Sequence, residues 1–571
     1  MKKLLVYLKK YRIESILSPL FKMLEASFEL TVPLVIASMI DMGIKNGDKG
    51  NVIKSFIILI VLGLVGLISS VTAQYFAAKA ATGFSKDLRH DLFGHLLNLS
   101  YSQIDNIGTS TMITRMTADV NTVQNGVNMF LRLFLRSPFI VLGATVMAFT
   151  IDFWSALIFV GVVAVLSLTV GVIMKMNIPM LKAVQSKLDD ILCLTRQNLS
   201  GVRVIRAFVK EDKELDKFEK SNNDLSVMQR RAGRVSGLLN PLTYVLINLA
   251  IVVLISIGAK RSFEGMLSTG QVVALYNYMS QILVELIKFA GLIVTINKAL
   301  ASANRISDVL DIEEGMENIE TGATDAAGNS EYSIVFDNVS LKYHESADES
   351  LTDVSFKLPK GKMLGIIGGT GSGKSSLINL IPRFYDVTRG RVLVNGKDVR
   401  EQNLEELRNS IGIVMQKAVL FNGSIKDNLL WGNSKATDEE LLAAVKTAVA
   451  EDIINSKGGM DYVIEAGGKN LSGGQRQRLT IARALVRKPE ILILDDASSA
   501  LDYVTELKLR NNLSALDYHP SVVVVSQRTT SVMNADLIVV LDDGNVAGIG
   551  THDELMKNCE IYKEIHNSQV E

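Results

Sequence analysis

The sequence predicts an all-α membrane domain of six helices, fused to an α/β domain that contains a phosphate-binding loop. Three observations lead to this prediction. Long uncharged apolar stretches occur in the first half of the chain and account for its positive mean hydropathy of +0.24. A glycine-rich loop follows an apolar strand in the second half. The halves also differ in charge, because residues 1–312 hold 33 Lys+Arg and 22 Asp+Glu, whereas residues 313–571 hold 27 and 38.

Length and composition set the domain organisation. A chain of 571 residues exceeds the roughly 100–200 residues of an ordinary domain. We expect a transmembrane domain over residues 1–312, a polar linker over residues 313–330 and a second domain over residues 331–571. A net charge of zero argues against a nucleic-acid partner. The presence of only two cysteines, Cys193 and Cys559, excludes a disulfide scaffold.

Five of the six predicted spans are free of charged side chains. A helix needs about 20 apolar residues to cross the hydrocarbon core of a membrane. Four segments meet this requirement: Ser55–Ala78, Phe153–Met174, Val235–Ala259 and Gly265–Val284. A fifth segment, Ser137–Ile151, reaches the required length only together with the turn before it.

The sixth predicted span, Ile13–Ile40, contains Glu14, Lys22, Glu25 and Glu29. The alternative is a buried helix of a soluble domain. We favour a span because the chain must return to the correct side of the membrane, and charges inside a membrane can face a water-filled cavity. Glu25 and Glu29 would then line such a cavity or lie at the membrane interface.

The basic residues predict the orientation. Six spans place both chain ends on one side, and the predicted segments on that side contain 27 Lys and Arg residues against five on the other side. Excess positive charge is typical of cytoplasmic loops. The sequence therefore predicts a multi-pass protein of the cytoplasmic membrane, with its N-terminus and its second domain in the cytoplasm.

The two long connections on the cytoplasmic side, Lys79–Arg136 and Lys175–Arg234, have helical patterns and few helix-breaking residues. We expect them to form helices that project from the membrane. Each has one interruption, at Ser102–Gly108 and at Ser200–Gly201. A turn at the far end of such a helical pair is placed to contact the second domain.

A phosphate-binding loop opens the second domain. The segment Gly368–Ser375, GGTGSGKS, follows the apolar strand LGII and fits the pattern G-x-x-x-x-G-K-[ST]. Glycines allow backbone N–H groups to converge on phosphate oxygens at a helix N-terminus. Lys374 would reach the β- and γ-phosphates and Ser375 would bind Mg²⁺. The predicted phosphate-binding residues are Gly369, Thr370, Gly371, Ser372, Gly373, Lys374, Ser375 and Ser376.

A second apolar strand, in the segment Ile491–Asp502, ends in two carboxylates. Asp495 is placed to hold Mg²⁺, and Asp496 stands where a carboxylate would activate the attacking water. The alternative is that the pair only caps a helix. We favour the first interpretation because the phosphate-binding loop lies in the same domain.

The segment Leu471–Gln475 reads LSGGQ. Together with the phosphate-binding loop and the strand-terminal carboxylate, this motif makes the second domain resemble the nucleotide-binding domain of an ABC transporter. Six spans ahead of such a domain resemble an ABC exporter half-transporter of type 1 architecture. The resemblance covers essentially the whole chain, and it implies that the protein binds ATP and Mg²⁺.

The resemblance also assigns roles to residues. It implies that Tyr343 stacks on adenine and that Gln416 joins Ser375 and Asp495 at Mg²⁺ and links the ion to the membrane domain. Two chains would enclose two ATP molecules, each between the phosphate-binding loop of one chain and the LSGGQ motif of the other. The residues that would contact the γ-phosphate from across this dimer are Ser472, Gly473, Gly474 and Gln475.

Three positions depart from the usual pattern of the family. The catalytic position after the Mg²⁺ aspartate normally holds glutamate, and here it holds Asp496, whose carboxylate is set back by about 1.5 Å, one C–C bond. A misplacement of about 1 Å can cost around 10²-fold in rate. The switch position normally holds histidine, and here it holds Gln527, which carries no positive charge. Ala466 replaces a glutamate expected before the signature, although the neighbouring Glu465 could substitute for it.

Two assemblies follow from these departures. In the one we favour, the chain resembles the degenerate-site subunit of bacterial heterodimeric multidrug ABC exporters. Its own site would hydrolyse ATP weakly, and its partner would be a different half-transporter with the usual glutamate and histidine. The alternative is a homodimeric drug or lipid exporter with two slow sites. An ATP-gated channel or sensor of the same architecture is a further alternative.

The expected substrate is an amphipathic small molecule, drug-like or lipid, in contact with membrane lipids. Met266, Tyr276, Tyr278 and Met279 are candidates for the cavity wall, although lipid-facing or packing roles explain them equally well. On the last span, Glu285 and Lys288 either pair with each other or line the inner vestibule.

Overall fold

The computed structural model describes residues 3–313, 315–316, 330–343 and 348–570. Most of the predicted linker, residues 313–330, therefore lies outside the described residues. The chain divides into two compact units. The first unit contains Met1–Asn98 and Gly108–Glu313, and the second contains Leu99–Ile107 and Glu314–Glu571.

All of the secondary structure described in the first unit is helical. A 3₁₀-helix over Leu4–Tyr11 leads into α1, and π-helical turns follow α1 at Met39–Ile44 and precede α5 at Arg115–Asp119. The helices of this unit are α1 (Arg12–Ser38), α2 (Lys49–Asn98), α4 (Thr109–Thr114), α5 (Val120–Leu133), α6 (Arg136–Ile151), α7 (Phe153–Ser200), α8 (Val202–Ala207), α9 (Glu211–Gly237), α10 (Leu239–Phe263) and α11 (Thr269–Leu310). One short helix between α2 and α4, α3 (Tyr101–Ile107), belongs to the second unit.

The described residues contain six helical segments that are long and apolar enough to cross a membrane, which confirms the six predicted spans. The segments are Leu4–Ile44, Lys49–Asn98, Thr109–Ile151, Phe153–Ser200, Glu211–Phe263 and Thr269–Leu310. Their lengths of 41 to 53 residues are about twice what a bilayer needs. The long connections are therefore continuous with the spanning helices, as their sequence pattern predicts.

The core of the first unit forms around α11. Tyr278 and Met279 are fully buried there, and the hydroxyl of Tyr278 donates a hydrogen bond of 2.6 Å to the carbonyl of Leu30 on α1. Of the four candidates for the cavity wall, these two therefore have a packing role. Met266 and Tyr276 are exposed on this chain.

The second unit contains a core sheet in the order β12-β11-β3-β10-β9-β6, in which all strands are parallel except the edge strand β12. An antiparallel sheet, β2-β1-β4-β5, and a short pair, β7-β8, accompany it. The strands are β1 (Tyr332–Leu341), β2 (Leu351–Pro359), β3 (Met363–Gly368), β4 (Arg389–Val394), β5 (Lys397–Asp398), β6 (Ile411–Val414), β7 (Gly423–Ser424), β8 (Val463–Ile464), β9 (Ile491–Asp495), β10 (Ser521–Ser526), β11 (Leu537–Asp542) and β12 (Asn545–Gly550).

Helices flank these sheets. In chain order they are α12 (Lys374–Leu380), α13 (Leu404–Ser410), α14 (Ile425–Leu430), α15 (Asp438–Thr447), α16 (Glu451–Lys457), α17 (Gly473–Val486), α18 (Tyr503–Ser514), α19 (Thr529–Val532), α20 (His552–Asn558) and α21 (Glu560–Val570), with 3₁₀ turns at Val399–Glu401 and Ala466–Gly468. The strands β3 and β9 are almost entirely buried, as expected of parallel strands covered on both faces. Both pair in parallel with β10, so their carboxyl ends lie at the same edge of the sheet.

The helix α3 belongs to the second unit, although the helices before and after it in the chain, α2 and α4, belong to the first. The ring of Tyr101 stacks on the ring of Phe384 with centroids 4.4 Å apart. The hydroxyl of Tyr385 donates a hydrogen bond of 2.7 Å to Oδ2 of Asp105. The interruption predicted at Ser102–Gly108 is thus mostly a short helix, held by aromatic packing and one charge-assisted hydrogen bond.

The close packing of α5 on α11 gives a test of the first unit. A Cβ atom added at Gly126 would lie 2.2 Å from Cβ of Ala299, so α5 and α11 would have to separate. We expect Gly126→Ala to lower the thermal unfolding temperature of the full chain in nanodiscs, since overpacking costs about 1–3 kcal/mol.

Gly94 in α2 is the matched control, because no atom lies within 4 Å of a Cβ added there. Gly94→Ala should raise the unfolding temperature slightly, since alanine is favoured over glycine in a helix by about 0.5–1 kcal/mol. Shifts of the same sign in both variants would contradict the packing described for α5 and α11.

Candidate functional site

The phosphate-binding loop joins β3 to α12. Gly371 and Gly373 adopt φ angles of +85° and +93°, which side chains other than glycine rarely tolerate. A Cβ atom at Gly373 would also lie 2.7 Å from the carbonyl oxygen of Ser350. The two glycines therefore make the tight turn that directs successive backbone N–H groups to one point, which is a geometry suited to phosphate.

Lys374, the first residue of α12, folds its side chain over this loop. Its Nζ donates hydrogen bonds to the carbonyls of Gly368 at 2.9 Å and Gly369 at 2.5 Å, and it lies 3.3 Å from Oγ of Ser372. Burial lowers the pKa of Lys374, and the carboxylates of Asp496 and Asp495 oppose this effect. The loop thus holds a cation where a phosphate group would enter.

Two carboxylates stand opposite the loop. Oγ of Ser375 donates to Oδ2 of Asp495 at 3.3 Å, and Nε2 of Gln416 donates to Oδ2 of Asp496 at 3.4 Å. Burial raises the pKa of Asp495, and the nearby charge of Asp496 adds to this effect, while the Ser375 hydrogen bond and Lys374 oppose it. A buried carboxylate under this electrostatic stress is stabilised by a cation.

The oxygen atoms that lie together at this site are suitable ligands for Mg²⁺. Ser375, Asp495 and Gln416 offer a hydroxyl, a carboxylate and an amide oxygen, and Mg²⁺ prefers oxygen ligands of this kind. All three line one cavity of about 430 Å³. Among the described residues, the predicted site residues that line this cavity are Thr370, Gly371, Ser372, Gly373, Lys374, Ser375, Ser376, Gln416, Asp495, Asp496 and Gln527.

Two predicted residues lie beside the cavity rather than in its wall. Gly369 contributes its carbonyl to Lys374, as described above. Tyr343 donates a hydrogen bond of 2.9 Å from its hydroxyl to Oγ of Ser376, which lines the cavity. Its ring also meets the ring of Tyr385 edge-on, with centroids 5.0 Å apart. The aromatic residue predicted to stack on adenine is therefore one side chain away from the phosphate-binding loop.

The signature residues lie elsewhere on the second unit. Ser472 caps the N-terminus of α17, where its Oγ accepts a hydrogen bond of 3.3 Å from the N–H of Gln475, and Oε1 of Gln475 accepts one of 3.0 Å from the N–H of Ser472. This reciprocal pair is a capping box. Within the described part of the chain, the cavity wall contains none of residues 472–475. One chain therefore does not bring its signature to its own phosphate-binding loop.

Comparison with known proteins identifies the family. A model described as the ABC transporter transmembrane region matches residues 15–286, and a model described as ABC transporter matches residues 351–499. An uncharacterized ABC transporter ATP-binding protein, YfiB of Bacillus subtilis (strain 168), is 35% identical over 570 residues, which cover 100% of this chain and 98% of YfiB. The chain belongs to the ABC transporter family.

Further relatives agree with this assignment. The ATP-dependent lipid A-core flippase of Desulfotalea psychrophila is 32% identical over 485 residues, covering 85% of this chain and 84% of that protein. A solved structure of a bacterial Atm1-family ABC exporter with ATP bound superimposes with a TM-score of 0.80 over 99% of both chains, at 23% identity. The fold is that of an ABC exporter half-transporter, with a transmembrane region fused to an ATP-binding domain whose ATPase activity is coupled to transport.

Asp496 of this ABC transporter has an unusual backbone conformation. Its φ angle is +47°, a left-handed conformation that aspartate tolerates better than most residues. The N–H of Asp496 donates to the carbonyl of Val525 at 3.0 Å, and its carbonyl accepts a hydrogen bond of 2.8 Å from Oγ of Ser499. The backbone is thus fixed on both sides, so it has little freedom to advance the shorter carboxylate.

The backbone at Gln527, the predicted switch residue, is held by a residue that the sequence did not reveal. Nε2 of Gln569, on α21, donates a hydrogen bond of 2.7 Å to the backbone carbonyl of Gln527. Oε1 of the same amide accepts hydrogen bonds from the N–H and the Oγ1 of Thr529, at 2.8 and 3.1 Å. One side chain therefore clamps the backbone on both sides of Arg528.

Other parts of the cavity were also not predicted. The wall includes residues before β2 and residues after β11. They are Asp348, Glu349, Ser350, Val525, Ser526, Asp543 and Gly544. Their one signal in the sequence is their position, since Ser526 ends β10 and Asp543 follows β11 at the same edge of the sheet.

The Gln569 clamp predicts a change in backbone protection. We expect Gln569→Ala to speed amide hydrogen exchange at Thr529 by roughly tenfold, since the lost hydrogen bonds are each worth about 1 kcal/mol net. Gln569→Glu keeps the acceptor oxygen and should retain most of the protection. Mass spectrometry of the full chain after exchange would measure both.

Asn567→Ala, an exposed substitution on the same helix, is the control and should leave exchange at Thr529 unchanged. If Gln569→Ala behaves like this control, α21 does not hold the switch segment.

Proposed function

We propose that this chain is one half of an ATP-driven exporter of amphipathic small molecules, drug-like compounds or lipids, in the cytoplasmic membrane. The main support for the proposal is that the LSGGQ signature, at the start of α17, does not line the cavity that contains the phosphate-binding loop. The γ-phosphate contacts of both sites are complete only when a second chain supplies its signature. ATP would then hold two half-transporters together, and hydrolysis would release them.

The residues around the cavity would hold Mg·ATP as substrate. The loop N–H groups and Lys374 would bind the β- and γ-phosphates, and Tyr343 would stack on adenine. Ser375, Asp495 and Gln416 would hold Mg²⁺, which neutralises charge on the phosphates when it is bound. Asp496 would orient the attacking water, and Gln527 would face the γ-phosphate with an uncharged amide.

The helix α3 offers a route for coupling ATP binding to the membrane helices. Stacking of Tyr101 on Phe384 and the hydrogen bond from Tyr385 to Asp105 join α3 to the second unit. The chain enters α3 from α2 and leaves it into α4. A displacement of the second unit on ATP binding would therefore be transmitted directly to α2 and α4, and from them to the substrate cavity.

Asp496 and Gln527 support a heterodimer with unequal sites. Both depart from the family pattern at chemical positions, while the residues that bind ATP keep that pattern. We infer that this chain's own site binds ATP and hydrolyses it weakly. A different half-transporter with glutamate and histidine at the two positions would supply the active site, which this chain completes with Ser472, Gly473, Gly474 and Gln475.

Charge and relatives support the remaining parts of the proposal. The predicted cytoplasmic side contains 27 basic residues and the other side five, which favours a cytoplasmic ATP-binding domain. The similarity to the lipid A-core flippase of Desulfotalea psychrophila favours a lipid or another amphiphile as substrate.

Co-expression with a half-transporter that carries glutamate and histidine at the two positions tests the assembly. We expect the purified pair to hydrolyse ATP at least tenfold faster than this chain alone, because only the pair contains a glutamate at a catalytic position. Asp496→Asn in the pair should change the rate by less than twofold. Lys374→Ala is the control that removes a phosphate contact and should reduce ATP binding at this chain's own site.

Equal ATPase activity from the chain alone and from the pair would favour the homodimer. A large loss on Asp496→Asn in the pair would also contradict unequal sites. ATP-dependent uptake of an amphipathic dye into inside-out vesicles distinguishes a pump from a channel or sensor, since a channel would not concentrate the dye.

A further inference from the structure

A network of charged side chains lies inside the first unit, where α1, α6 and α11 meet. Nη1 of Arg136 lies 2.5 Å from Oε1 of Glu285, and Nη2 lies 2.7 Å from Oε2 of Glu29. Oγ of Ser137 donates to the other oxygen of Glu285 at 2.8 Å. The side chains of Arg136 and Glu285 are only 8% and 3% exposed, so this pair forms a fixed centre.

The network is electrically balanced. On one side Lys22 pairs with Glu25 at 2.5 Å, and Lys22 also donates to Oγ of Ser70 at 3.0 Å. On the other side Lys288 pairs with Glu285 at 2.9 Å, and both residues also line a cavity, so the two roles considered for them coexist. Three cations thus face three carboxylates. No net charge is buried, which limits the desolvation cost of the group.

Two members of the network reach outwards. The side chains of Glu29 and Lys288 are 41% and 45% exposed, whereas the Arg136–Glu285 pair between them is buried. Both line one cavity of about 280 Å³. The wall of this cavity therefore exposes the carboxylate of Glu29 and the ammonium group of Lys288, which pair with the buried side chains of Arg136 and Glu285. Glu285 also belongs to the wall, but its side chain is only 3% exposed.

The rest of the cavity wall combines amides with apolar side chains. Oε1 of Gln281 is buried and accepts no hydrogen bond among the described residues, and Asn277 and Ser280 lie beside it. The apolar part of the wall consists of Val32, Pro33, Ile36 and Val284. A ligand that fits here needs polar groups at one end and an apolar body at the other.

We propose that this cavity binds the zwitterionic group of an amphipathic substrate. The ammonium group of the substrate pairs with Glu29, its phosphate or carboxylate pairs with Lys288, and its apolar body lies against Val32, Pro33 and Ile36. The proposal rests on the export function above and names its substrate class. The cavity is smaller than most pockets for whole ligands, which span about 300–1,000 Å³, so it takes the head of the molecule while the tail extends beyond it.

The charge pattern favours a zwitterion over a single charge. A balanced network attracts neither sign from a distance, and a lone cation at Glu29 would meet Lys288 on the same wall. Like charges brought together at a recognition site repel each other and weaken binding. A group that carries both charges pairs with both Glu29 and Lys288 and leaves the Arg136–Glu285 pair intact.

Three amphiphilic probes, each with the same single alkyl tail, test the proposal: an alkyl phosphocholine, an alkyl trimethylammonium and an alkyl phosphate. The full transporter in nanodiscs is titrated with each, below the concentration at which the probe forms micelles. Binding is followed by thermal stabilisation without ATP and, separately, by stimulation of ATPase activity. We expect the phosphocholine to reach half-saturation at a concentration at least tenfold lower than either singly charged probe.

Variants of the two outward charges should change this preference in opposite directions. Glu29→Gln should weaken binding of the phosphocholine and of the cation while sparing the alkyl phosphate. Lys288→Gln should weaken binding of the phosphocholine and of the alkyl phosphate while sparing the cation. Both substitutions keep Arg136 and Glu285 themselves, and each exchanges one charged partner of that pair for an amide that can still form a hydrogen bond. Lys298→Gln, at an exposed position on the same helix, is the matched control.

The lipid of the nanodisc distinguishes two sources of the zwitterion. If a membrane lipid is the natural occupant, nanodiscs of phosphatidylcholine raise the half-saturating phosphocholine concentration above that in nanodiscs of phosphatidylglycerol. If a free amphiphile is the occupant, the two values agree. Either result supports the cavity as a zwitterion site.

Equal half-saturation by all three probes in the unsubstituted protein would overturn the proposal, and so would variants at Glu29 and Lys288 that behave like Lys298→Gln. The thermal measurement keeps this result separate from the export function. A transporter that hydrolyses ATP and moves other amphiphiles without a preference for zwitterions contradicts only the substrate class. Absence of ATPase activity and of transport contradicts the export function instead.

Discussion

Parallel pairing of β3 and β9 with the strand between them, β10, determines where this protein can bind a nucleotide. The register places Ile367 opposite Ser526 and Asp495 opposite Val525, so the glycine-rich loop, Asp495 and the segment that begins with Gln527 lie at one edge of the sheet. The buried apolar sequences MLGIIG and ILILD support this arrangement, because both faces of a parallel sheet are covered. Helix α12 then begins beside Asp495, and the other site residues join this framework.

The same framework shows why the substitutions at Asp496 and Gln527 matter. Hydrogen bonds to the sheet and to Ser499 fix the backbone of Asp496, and Gln569 fixes the backbone of Gln527. Backbones held in this way cannot easily move to compensate for a shorter carboxylate or for a missing charge. The proposed weak hydrolysis is therefore a consequence of side-chain chemistry on a rigid scaffold.

Much of the architecture could be predicted from the sequence because its signals are local. Six spans follow from apolar stretches, and the phosphate-binding loop follows from glycine spacing between a strand and a helix. Contacts between residues that are far apart in the sequence have no such local pattern. The hydrogen bond from Tyr385 to Asp105 joins residues 280 positions apart, and the clamp of Gln569 on Gln527 joins residues 42 positions apart. The role of Tyr278 was also open, since a tyrosine in a span suits a cavity wall and a packed core equally.

The unequal sites can be tested by measuring hydrolysis at this chain's own site alone. In the assembled pair, replacing the partner's catalytic glutamate with glutamine leaves the site with Asp496 and Gln527 as the source of the remaining activity. We expect a single-turnover rate at least tenfold below that of the intact pair. We also expect a rise of roughly tenfold or more when Asp496→Glu and Gln527→His are combined, since a misplacement of about 1 Å costs around 10²-fold in rate. A remaining rate equal to that of the intact pair, unchanged by these two substitutions, would mean that the two sites are equivalent.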